Sequence, residues 1–548
     1  MNETPDDAPS AEEVGGGRDR RIRDALYFGV LLLVCAVAHV NLVTRGWNLP
    51  LLGPHDFRQT QTALTSYWAI REGFRLDYIT PVCGPPWSIP LEFPLYQWIV
   101  ALVNTSTGYP LDQAGRLVSL LFFYLALPPA FLLGRRVLKR TSLTLFFICL
   151  LLINPIHIFW GRTFLIETTV LCFGSYFLWF FVRALERRRL LDHVLAVLFG
   201  CLAALVKPTT YAVFLVAAFC FYTTHFVRDI WPRRSRRTVV AVLLQGAILT
   251  LISIAATWLW TNYCDGIKAA HPYTPLVSAD MHAWNYGTLG QRLTIDNWTK
   301  IFFGYNGFII AIAATLGLSF ATFLAGGAVA VWLLIPGYRR IGLAALLTAA
   351  VGPMVFFNLF TVHSYYQMAI TWCLCLFAVL PFAALMSKPR LRFVTQFGLV
   401  PIFLCGVIGG YVSTVYYTSQ SRPMSGFGPF LGVMHSIEAA TDQDQDAILV
   451  FALEGWNSKY AYYSRRKCFA TADIPTLERL RDDTFKAMEK AMKEDGMRFR
   501  AVVTIGEARQ LTPDVRAYLD GRFNSPGMTS VQTGPVLLFD AKPIDPAP

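Results

Sequence analysis

Charged residues are scarce in this chain of 548 residues: Asp, Glu, Lys and Arg make up 15% of it, whereas 54% is hydrophobic. Soluble globular proteins carry about 25% charged residues. The shortage excludes a single soluble core. Repeated apolar runs of about 20 residues indicate membrane-spanning helices instead.

Sequence motifs for metal and redox chemistry are also missing. The eleven cysteines include no CxxC pair and no Cys/His zinc pattern. Eight of them lie inside apolar runs, where cysteine behaves as a small hydrophobe. These are Cys35, Cys149, Cys172, Cys201, Cys220, Cys373, Cys375 and Cys405. Cys83, Cys264 and Cys468 are predicted outside the membrane, and a Cys83–Cys264 disulfide is a pairing that their spacing does not support.

The net charge of +12 is unevenly distributed along the chain. Six short clusters between apolar runs hold 22 of the 48 Lys and Arg. They are Arg18–Arg23, Arg135–Arg140, Arg183–Arg189, Arg228–Arg237, Arg339–Arg340 and Lys388–Arg392. Basic loops of this kind mark the cytoplasmic side of a membrane protein. A basic groove for nucleic acid is the weaker interpretation, because the clusters are separated by apolar runs.

If every basic cluster lies on the cytoplasmic side, the sequence predicts eleven spans and a multi-pass protein with a cytoplasmic N-terminus. The first apolar run follows Arg-rich residues and lacks a small-residue cleavage site, so it is predicted to be a retained helix. The spans are predicted at about Ala25–Thr44, Leu117–Leu133, Leu143–Ile158, Ile166–Leu185, Leu191–Val206, Thr210–Val227, Val239–Trp260, Phe308–Ile335, Ile341–Phe360, Met368–Met386 and Phe393–Tyr417.

This assignment of spans predicts three regions: a disordered cytoplasmic tail (1–24), a membrane domain (25–417) and an external C-terminal domain (418–548). The membrane domain includes a long first external loop, 45–114, with two short interfacial helices. One begins after His55-Asp56-Phe57-Arg58. The other, at about Phe93–Val103, is too short to span a membrane.

The C-terminal region alternates predicted strands with predicted helices, and about 130 residues suffice for a small α/β core. The strands are Ala447–Leu453, Arg500–Ile505 and Pro535–Asp540. The helices are Phe430–Ala440, Ile474–Lys493 and Pro513–Asp520. The region has no Gly-rich phosphate loop and no nucleophile motif.

In this predicted arrangement of spans, seven polar or aromatic residues beside the apolar runs lie on the external face of the membrane. They are Asp56, Glu92, Arg162, Glu167, Lys207, His363 and Tyr366. Ionisable groups beside lipid are costly, so each is a functional-site candidate. Their common side suggests a reaction centre at the membrane–water boundary.

The two carboxylates of the first loop each have a structural alternative. Asp56 is a general-base or metal-ligand candidate, but Asp is also a favoured helix cap. Glu92 precedes a short helix, whose dipole it could complement. Together they place paired carboxylates over the membrane surface.

The other candidates also have alternatives. Arg162 suits bidentate phosphate binding or lipid-headgroup contact. Lys207 either snorkels to headgroups or serves the site. Tyr365 and Tyr366 suit a membrane belt, whereas His363 adds a proton carrier or metal ligand.

In order along the chain, these residues resemble the membrane glycosyltransferases of the GT-C fold. The set is Asp56 with Arg58, Glu92-Phe93-Pro94, Arg162 to Glu167, Lys207-Pro208 and His363-Ser364-Tyr365-Tyr366. It is similar to the branch with protein O-mannosyltransferases, lipid A aminoarabinose transferases and rhizobial galacturonosyltransferases, across roughly residues 25 to 420. The resemblance implies about a dozen spans and a polyprenyl-phosphate sugar donor.

The resemblance also implies roles for the acidic residues. Asp56 matches the first-loop catalytic acid, a general base on the acceptor hydroxyl. Phe57 follows it where many members have a second acid. Glu92 matches the acid of the second interfacial helix, and Phe93 replaces the lysine of aminoarabinose transferases, which weighs against that activity. Glu167 stands where many members have Asp.

The basic and aromatic residues receive roles in the same way. Arg58, Arg162 and Lys207 are implied to hold the donor phosphate, and Tyr365 and Tyr366 to line the donor site with His363. Glu92 and Glu167 would bind sugar hydroxyls or a divalent metal ion. Inversion at the anomeric carbon follows from a single displacement.

The implied reaction moves a sugar to a lipid, glycan or protein acceptor on the external face, and a bacterial inner membrane fits. One alternative is a transporter or flippase for a lipid-linked substrate. It should show broken spans in two matching halves and midplane charges, and the sequence shows neither. A second alternative is a scaffold whose C-terminal region binds partners.

Overall fold

The computed structural model describes residues 11–233, 236–270, 277–303, 338–452, 456–471, 490–505, 523–524 and 536–541. Helices dominate as far as Ala440, and a small sheet follows. The first ten helices are α1 (Ala11–Thr44), α2 (Asp56–Glu72), α3 (Leu95–Thr107), α4 (Leu111–Leu138), α5 (Thr141–Ile153), α6 (Pro155–Trp160), α7 (Glu167–Arg187), α8 (Leu190–Val206), α9 (Pro208–His225) and α10 (Arg236–Ala269).

The later helices are shorter on average. They are α11 (His282–Tyr286), α12 (Leu289–Leu293), α13 (Ile295–Phe303), α14 (Arg339–Val355), α15 (Phe357–Val362), α16 (Gln367–Met386), α17 (Pro389–Val394), α18 (Val400–Val412), α19 (Val415–Gln420), α20 (Gly428–Ala440) and α21 (Lys459–Ser464). Short 3₁₀ or π turns extend or join several of them: Phe226–Ile230, Trp231–Arg233, Ser364–Tyr366, Thr395–Leu399 and Met424–Phe427.

Within the described residues, seven helical stretches are long and apolar enough to cross a membrane. They are Ile22–Thr44, Leu111–Leu138, Glu167–Arg187, Pro208–Ile230, Arg236–Ala269, Ser364–Met386 and Pro389–Val412. Each coincides with a predicted span. Three further predicted spans coincide with shorter helices, namely α5 with α6, α8, and α14 with α15. The predicted span Phe308–Ile335 lies outside the described residues.

The N-terminal prediction needs a correction. Helix α1 begins at Ala11, so 11–24 continue the first spanning helix and do not form an irregular tail. The charged side chain of Asp24 lies in this extension, where Arg392 forms an ion pair with it. That contact joins two chain segments whose basic clusters were predicted to share one side.

The helices of the bundle differ in how closely they are packed. Helix α7 is largely buried, and a Cβ added at Gly174 would lie 2.4 Å from the Phe214 ring of α9. A small residue at this point lets the two helices approach closely. By contrast, α1 exposes large apolar side chains such as Leu26, Val30 and Leu33. Such a surface suits lipid and not water.

The C-terminal region forms a five-stranded mixed sheet. Its strands are β1 (Asp446–Ala452), β2 (Lys467–Thr471), β3 (Arg498–Ile505), β4 (Phe523–Asn524) and β5 (Val536–Ala541), in the order β2-β1-β3-β5-β4. β1 is parallel to β2 and β3, whereas β5 is antiparallel to β3 and β4. The three predicted strands and the helix at 430–440 are confirmed. Pro513–Asp520, and 474–489 of the other predicted helix, lie outside the described residues.

The first loop extends this sheet at its β2 edge. The N–H groups of Cys468 and Ala470 donate to the carbonyls of Pro81 and Val82, both at 2.9 Å, and Gly84 N–H donates back to the Cys468 carbonyl at 3.2 Å. Strand edges readily accept such a partner. The loop and the C-terminal sheet therefore share one hydrogen-bonded unit. No disulfide joins Cys83 to Cys264, both of which lie within the described residues.

Candidate active site

Two short-range ion pairs form the centre of the candidate site. The first joins Arg58, in the first turn of α2, to Glu92, with Nη2 and Oε2 2.8 Å apart. Gln97 of α3 donates to the other carboxylate oxygen of Glu92 at 3.1 Å, and Gln61 accepts from Arg58. Both charged side chains are largely buried, so the pair is held in one geometry. Two residues predicted for the site are thus brought into contact.

The second ion pair joins Lys207 to Glu167. Their side chains are only 7% and 2% exposed, and they are in direct hydrogen-bond contact. Glu167 is the first residue of α7, and Lys207 sits at the junction of α8 and α9. Burial this deep excludes the alternative in which Lys207 snorkels to lipid headgroups. Glu167 therefore pairs with a side chain from the α8–α9 junction.

Aromatic rings cover the Lys207 ammonium. Its Nζ lies 3.8 Å from the ring centroid of Tyr366 and 4.8 Å from that of Tyr365. This geometry gives a cation–π attraction in a desolvated place. Tyr365 is buried, which argues against a purely lipid-facing belt. His363 stacks on Tyr365 at 5.1 Å.

A histidine pair links the aromatic wall to the start of α2. His55 and His363 have ring centroids 5.2 Å apart, and their Nδ1 atoms are 3.5 Å apart. His55 also contacts Trp160 at 5.4 Å and Tyr365 at 5.1 Å. Its backbone is left-handed, with φ of 53°, and it precedes the first helical residue, Asp56. Strained backbone of this kind gathers at functional sites.

Electrostatic coupling shows that these contacts form one cluster. Burial alone would lower the pKa of Arg58, but the charges of Glu92, Tyr365 and Glu167 more than offset it, so the pKa stands above its ordinary value. Burial lowers the pKa of His363 to about 3, and His55, Lys207 and Arg58 act in the same direction. The two ion pairs and the histidines therefore lie within electrostatic range of one another.

Asp56 follows His55 of this cluster in the chain. It is the first residue of α2, and its Oδ1 accepts the N–H of Phe57 at 2.7 Å. The N-cap position belongs to His55, and no side chain caps the helix. Asp56 is therefore not the cap residue of α2, although its charge complements the helix dipole. Its side chain is 27% exposed, so a substrate can reach it.

Arg162 is the one predicted site residue that the structure places elsewhere. Its guanidinium donates to the carbonyls of Val43 at 2.9 Å, Arg45, and Gly46 at 3.4 Å, where the chain leaves α1. Burial lowers the pKa of Arg162 to about 9, and neighbouring Arg116 acts in the same direction. Backbone carbonyls therefore engage Nη1 and Nη2, whereas Nε has no hydrogen-bond partner within the described residues, and the donor-phosphate role of Arg162 stays a prediction.

We expect Arg162→Gln to lower the stability of the protein without changing donor affinity. The change removes charge-assisted hydrogen bonds from buried carbonyls, a loss of about 2–3 kcal/mol. The apparent Tm should fall in detergent, while the KM for donor in the folded fraction stays within about twofold of wild type. A large rise in KM at unchanged Tm would contradict the structural role.

Several residues of the cluster were not predicted as site residues. His55, Gln97 and Trp160 are close neighbours of candidates in the chain or in space, but only His55 adjoins one in sequence. Lys459 of α21 also reaches the cluster, with its Nζ 3.4 Å from Asp56 Oδ2. The position of His55 next to Asp56 is the sequence feature that could have indicated His55 as a site residue. Nothing in the sequence indicates the approach of Lys459.

The carboxylates of the cluster do not fit a resident metal ion. Glu92 and Glu167 are each neutralised by a basic side chain. Across the described part of the chain, no group of three His, Cys, Asp or Glu is arranged to hold an ion.

Acidification should destabilise the protein through the two buried histidines. Burial lowers the pKa of His55 to about 4, and that of His363 stands at about 3. An unfolded histidine titrates near 6.5. Below that pH the unfolded chain takes up protons that the folded chain refuses, so stability is fully present above pH 6.5 and lost as pH falls toward 4.

Thermal melts in detergent between pH 8 and pH 5 test this expectation. The apparent Tm should fall below about pH 6.5. A His55→Gln/His363→Gln variant should show a shallower fall, whereas His282→Gln at an exposed position should keep the wild-type slope. Equal slopes in all three proteins would show that the histidine pair is not responsible.

Comparison with known proteins identifies the fold. The model of the dolichyl-phosphate-mannose-protein mannosyltransferase family matches residues 88–260. ArnT from Cupriavidus metallidurans, solved bound to undecaprenyl phosphate, superposes with a TM-score of 0.58 at 14% identity, covering 95% of this chain and 98% of that one. This is a membrane protein of the GT-C glycosyltransferase fold.

Other solved structures support the GT-C assignment. ArnT in the apo state matches with a TM-score of 0.55 at 13% identity, over 91% of this chain and 94% of that one. The arabinofuranosyltransferase AftD from Mycobacteria matches with a TM-score of 0.50 at 13% identity. That match covers 94% of this chain but only 40% of AftD. A search of curated proteins finds no match. The predicted fold class is confirmed.

Proposed function

We propose that this protein transfers a sugar from a polyprenyl-phosphate donor to an acceptor hydroxyl at the external face of the membrane. The observation that carries the proposal is the cluster of the Arg58–Glu92 pair, the Lys207–Glu167 pair and His363, which Asp56 adjoins through its neighbour His55. The ArnT structure with undecaprenyl phosphate supports a lipid-linked phosphate as the donor class.

Buried polar atoms without partners support a ligand site around Lys207. Glu167 Oε2 is buried and accepts no hydrogen bond within the described residues. The hydroxyls of Thr168, Thr169, Thr209 and Thr210, on the first turns of α7 and α9, are in the same condition. Buried polar groups are normally satisfied, so such a group needs an explanation. Donor phosphate and sugar hydroxyls would supply the missing partners.

The donor phosphate would bind between the two basic side chains. An ammonium has three donors, so Lys207 can keep Glu167 and still bind a phosphate oxygen. Arg58 offers a second cation, already oriented by Glu92. Fixed cations stabilise the charge that develops on the leaving phosphate. Glu92 and Glu167 thus hold the cations, and the spare oxygen of Glu167 is available to a sugar hydroxyl.

Asp56 would act as the general base. Its carboxylate takes the proton of the acceptor hydroxyl as that oxygen attacks the anomeric carbon. The bond from the anomeric carbon to the phosphate oxygen breaks, and polyprenyl phosphate leaves with the electron pair. This single displacement inverts the anomeric centre. His55 and His363 stay neutral at pH 7 and, with such low pKa values, are poor proton carriers.

The orientation of the site follows from charge. The cluster lies at the helix ends opposite those that carry the basic segments, such as Arg135–Arg140 and Arg183–Arg189. Basic segments remain cytoplasmic. The cluster and the C-terminal sheet would therefore face the periplasm or an equivalent external space, in a bacterial inner membrane.

The test is a cleavage assay in nanodiscs, where no second compartment exists and transport leaves no signal. Wild-type protein receives a panel of short-chain polyprenyl-phosphate sugars with a cell-envelope extract as acceptor, and free polyprenyl phosphate is measured. We expect release from one donor of the panel, strongly reduced in Asp56→Asn. A folded protein that returns every donor intact would favour the flippase alternative.

A further inference from the structure

The C-terminal region reaches the proposed general base directly. Helix α21 begins at Lys459, whose Nζ lies 3.4 Å from Oδ2 of Asp56. The other carboxylate oxygen, Oδ1, accepts the N–H of Phe57 at 2.7 Å. One oxygen of Asp56 is therefore held by its own helix, and the second by a side chain about 400 residues further along the chain.

Packing fixes the position of the Lys459 ammonium. Its Nζ lies 5.8 Å from the ring centroid of Phe430 and 5.3 Å from that of Tyr460. Its backbone N–H donates to Asn457 Oδ1 at 3.1 Å. The Lys459 side chain is only 13% exposed, so its ammonium has limited freedom to move away from Asp56. A mobile surface lysine would not have these contacts.

Helix α21 is anchored on the membrane domain on both sides of Lys459. Before it, Trp456 packs edge-on against Phe57, with ring centroids 4.8 Å apart. After it, Tyr462 donates to Asp112 of α4 at 2.5 Å, and Tyr463 accepts the N–H of Leu51 at 2.6 Å. These contacts connect α21 to both sides of the segment that carries Asp56. The distance between Lys459 and Asp56 is thus set by the docked C-terminal region.

We infer that Lys459 is a positioning residue for Asp56, so that the docked C-terminal region forms part of the active site. The inference rests on the proposed function. A carboxylate fixed at one oxygen alone can rotate, and a misplacement of about 1 Å can cost about 100-fold in rate. Within the described residues, the carboxylate that Lys459 pairs with is Asp56, which belongs to neither of the two pairs that would bind donor phosphate. The loss of Lys459 should therefore lower kcat and leave the donor KM unchanged.

The experiment compares four variants in the nanodisc cleavage assay. Lys459→Met removes the contact, and Lys459→Arg restores a cation of similar reach. Two matched controls break other ion pairs between α2 and the C-terminal region: Lys467→Met, whose Nζ lies 3.6 Å from Glu72, and Arg71→Met, whose guanidinium lies 3.2 Å from Asp444. The apparent Tm of each protein is measured in parallel.

We expect Lys459→Met to lower kcat about 10- to 100-fold at unchanged donor KM, with Lys459→Arg recovering most of the rate and both controls near wild type. A Lys459→Met protein with wild-type kcat would overturn the inference while leaving the proposed function intact. Equal losses of kcat in Lys459→Met, Lys467→Met and Arg71→Met would also overturn the inference. They would indicate that all three residues act only by docking the C-terminal region. Failure of the wild-type protein to cleave any donor would instead contradict the proposed function.

Discussion

Replacing Asp56 by Asn is expected to lower kcat by about 10²–10⁴-fold, the usual contribution of a general base. Asparagine keeps the size of the side chain and can still accept the N–H of Phe57, but it cannot take a proton at neutral pH. The donor KM should stay near the wild-type value, because Arg58 and Lys207 are untouched. The measurement is initial release of polyprenyl phosphate from the active donor at several concentrations.

Asp77→Asn is the matched control for this substitution. Asp77 lies in the same loop and pairs with Arg75 at 2.5 Å, but both side chains are exposed. Its loss should leave kcat within about twofold, since exposed ion pairs contribute little. Full transfer activity in well-folded Asp56→Asn protein would refute the assignment of the base.

The second large effect concerns the buried Lys207–Glu167 pair. Lys207→Met alone leaves a buried carboxylate without its cation, and Glu167→Gln alone leaves a buried ammonium without its anion. Either change should destabilise the protein by roughly 3–5 kcal/mol, whereas replacing both partners of a buried pair is often near neutral. The double variant should therefore recover most of the lost apparent Tm.

Activity should not recover with stability in that double variant. Lys207 is proposed to bind the leaving phosphate, and a methionine has no donor to replace it. Cleavage should stay at least about 100-fold below wild type in a protein that melts normally. If cleavage returned together with the Tm, the pair would be structural, and the phosphate site would have to lie elsewhere.

The arrangement of the spans could be predicted because charge and hydropathy act locally. Each basic cluster fixes a side, and each apolar run then carries the chain to the opposite side. That logic placed Glu92, Glu167 and Lys207 at one set of helix ends, where the structure brings them together. It could not indicate which residues would pair, because the partners come from different helices.

Two features of the site could not be read from the sequence. Arg162 has the charge and the location of a phosphate ligand, yet its partners are carbonyls near residue 45, and backbone groups carry no sequence signal. Lys459 belongs to a region that was predicted as a separate α/β core. Its contact with Asp56 depends on the docking of that region, through strand pairing with 81–84.

Cryo-electron microscopy of Asp56→Asn protein in nanodiscs, loaded with the donor that wild type cleaves, tests the central claim most directly. The account predicts phosphate density within hydrogen-bond distance of Lys207 and Arg58, with the anomeric carbon facing residue 56 and the polyprenyl chain leaving into lipid. Donor phosphate bound at Arg162, or beside the basic segments at the opposite helix ends, would contradict it.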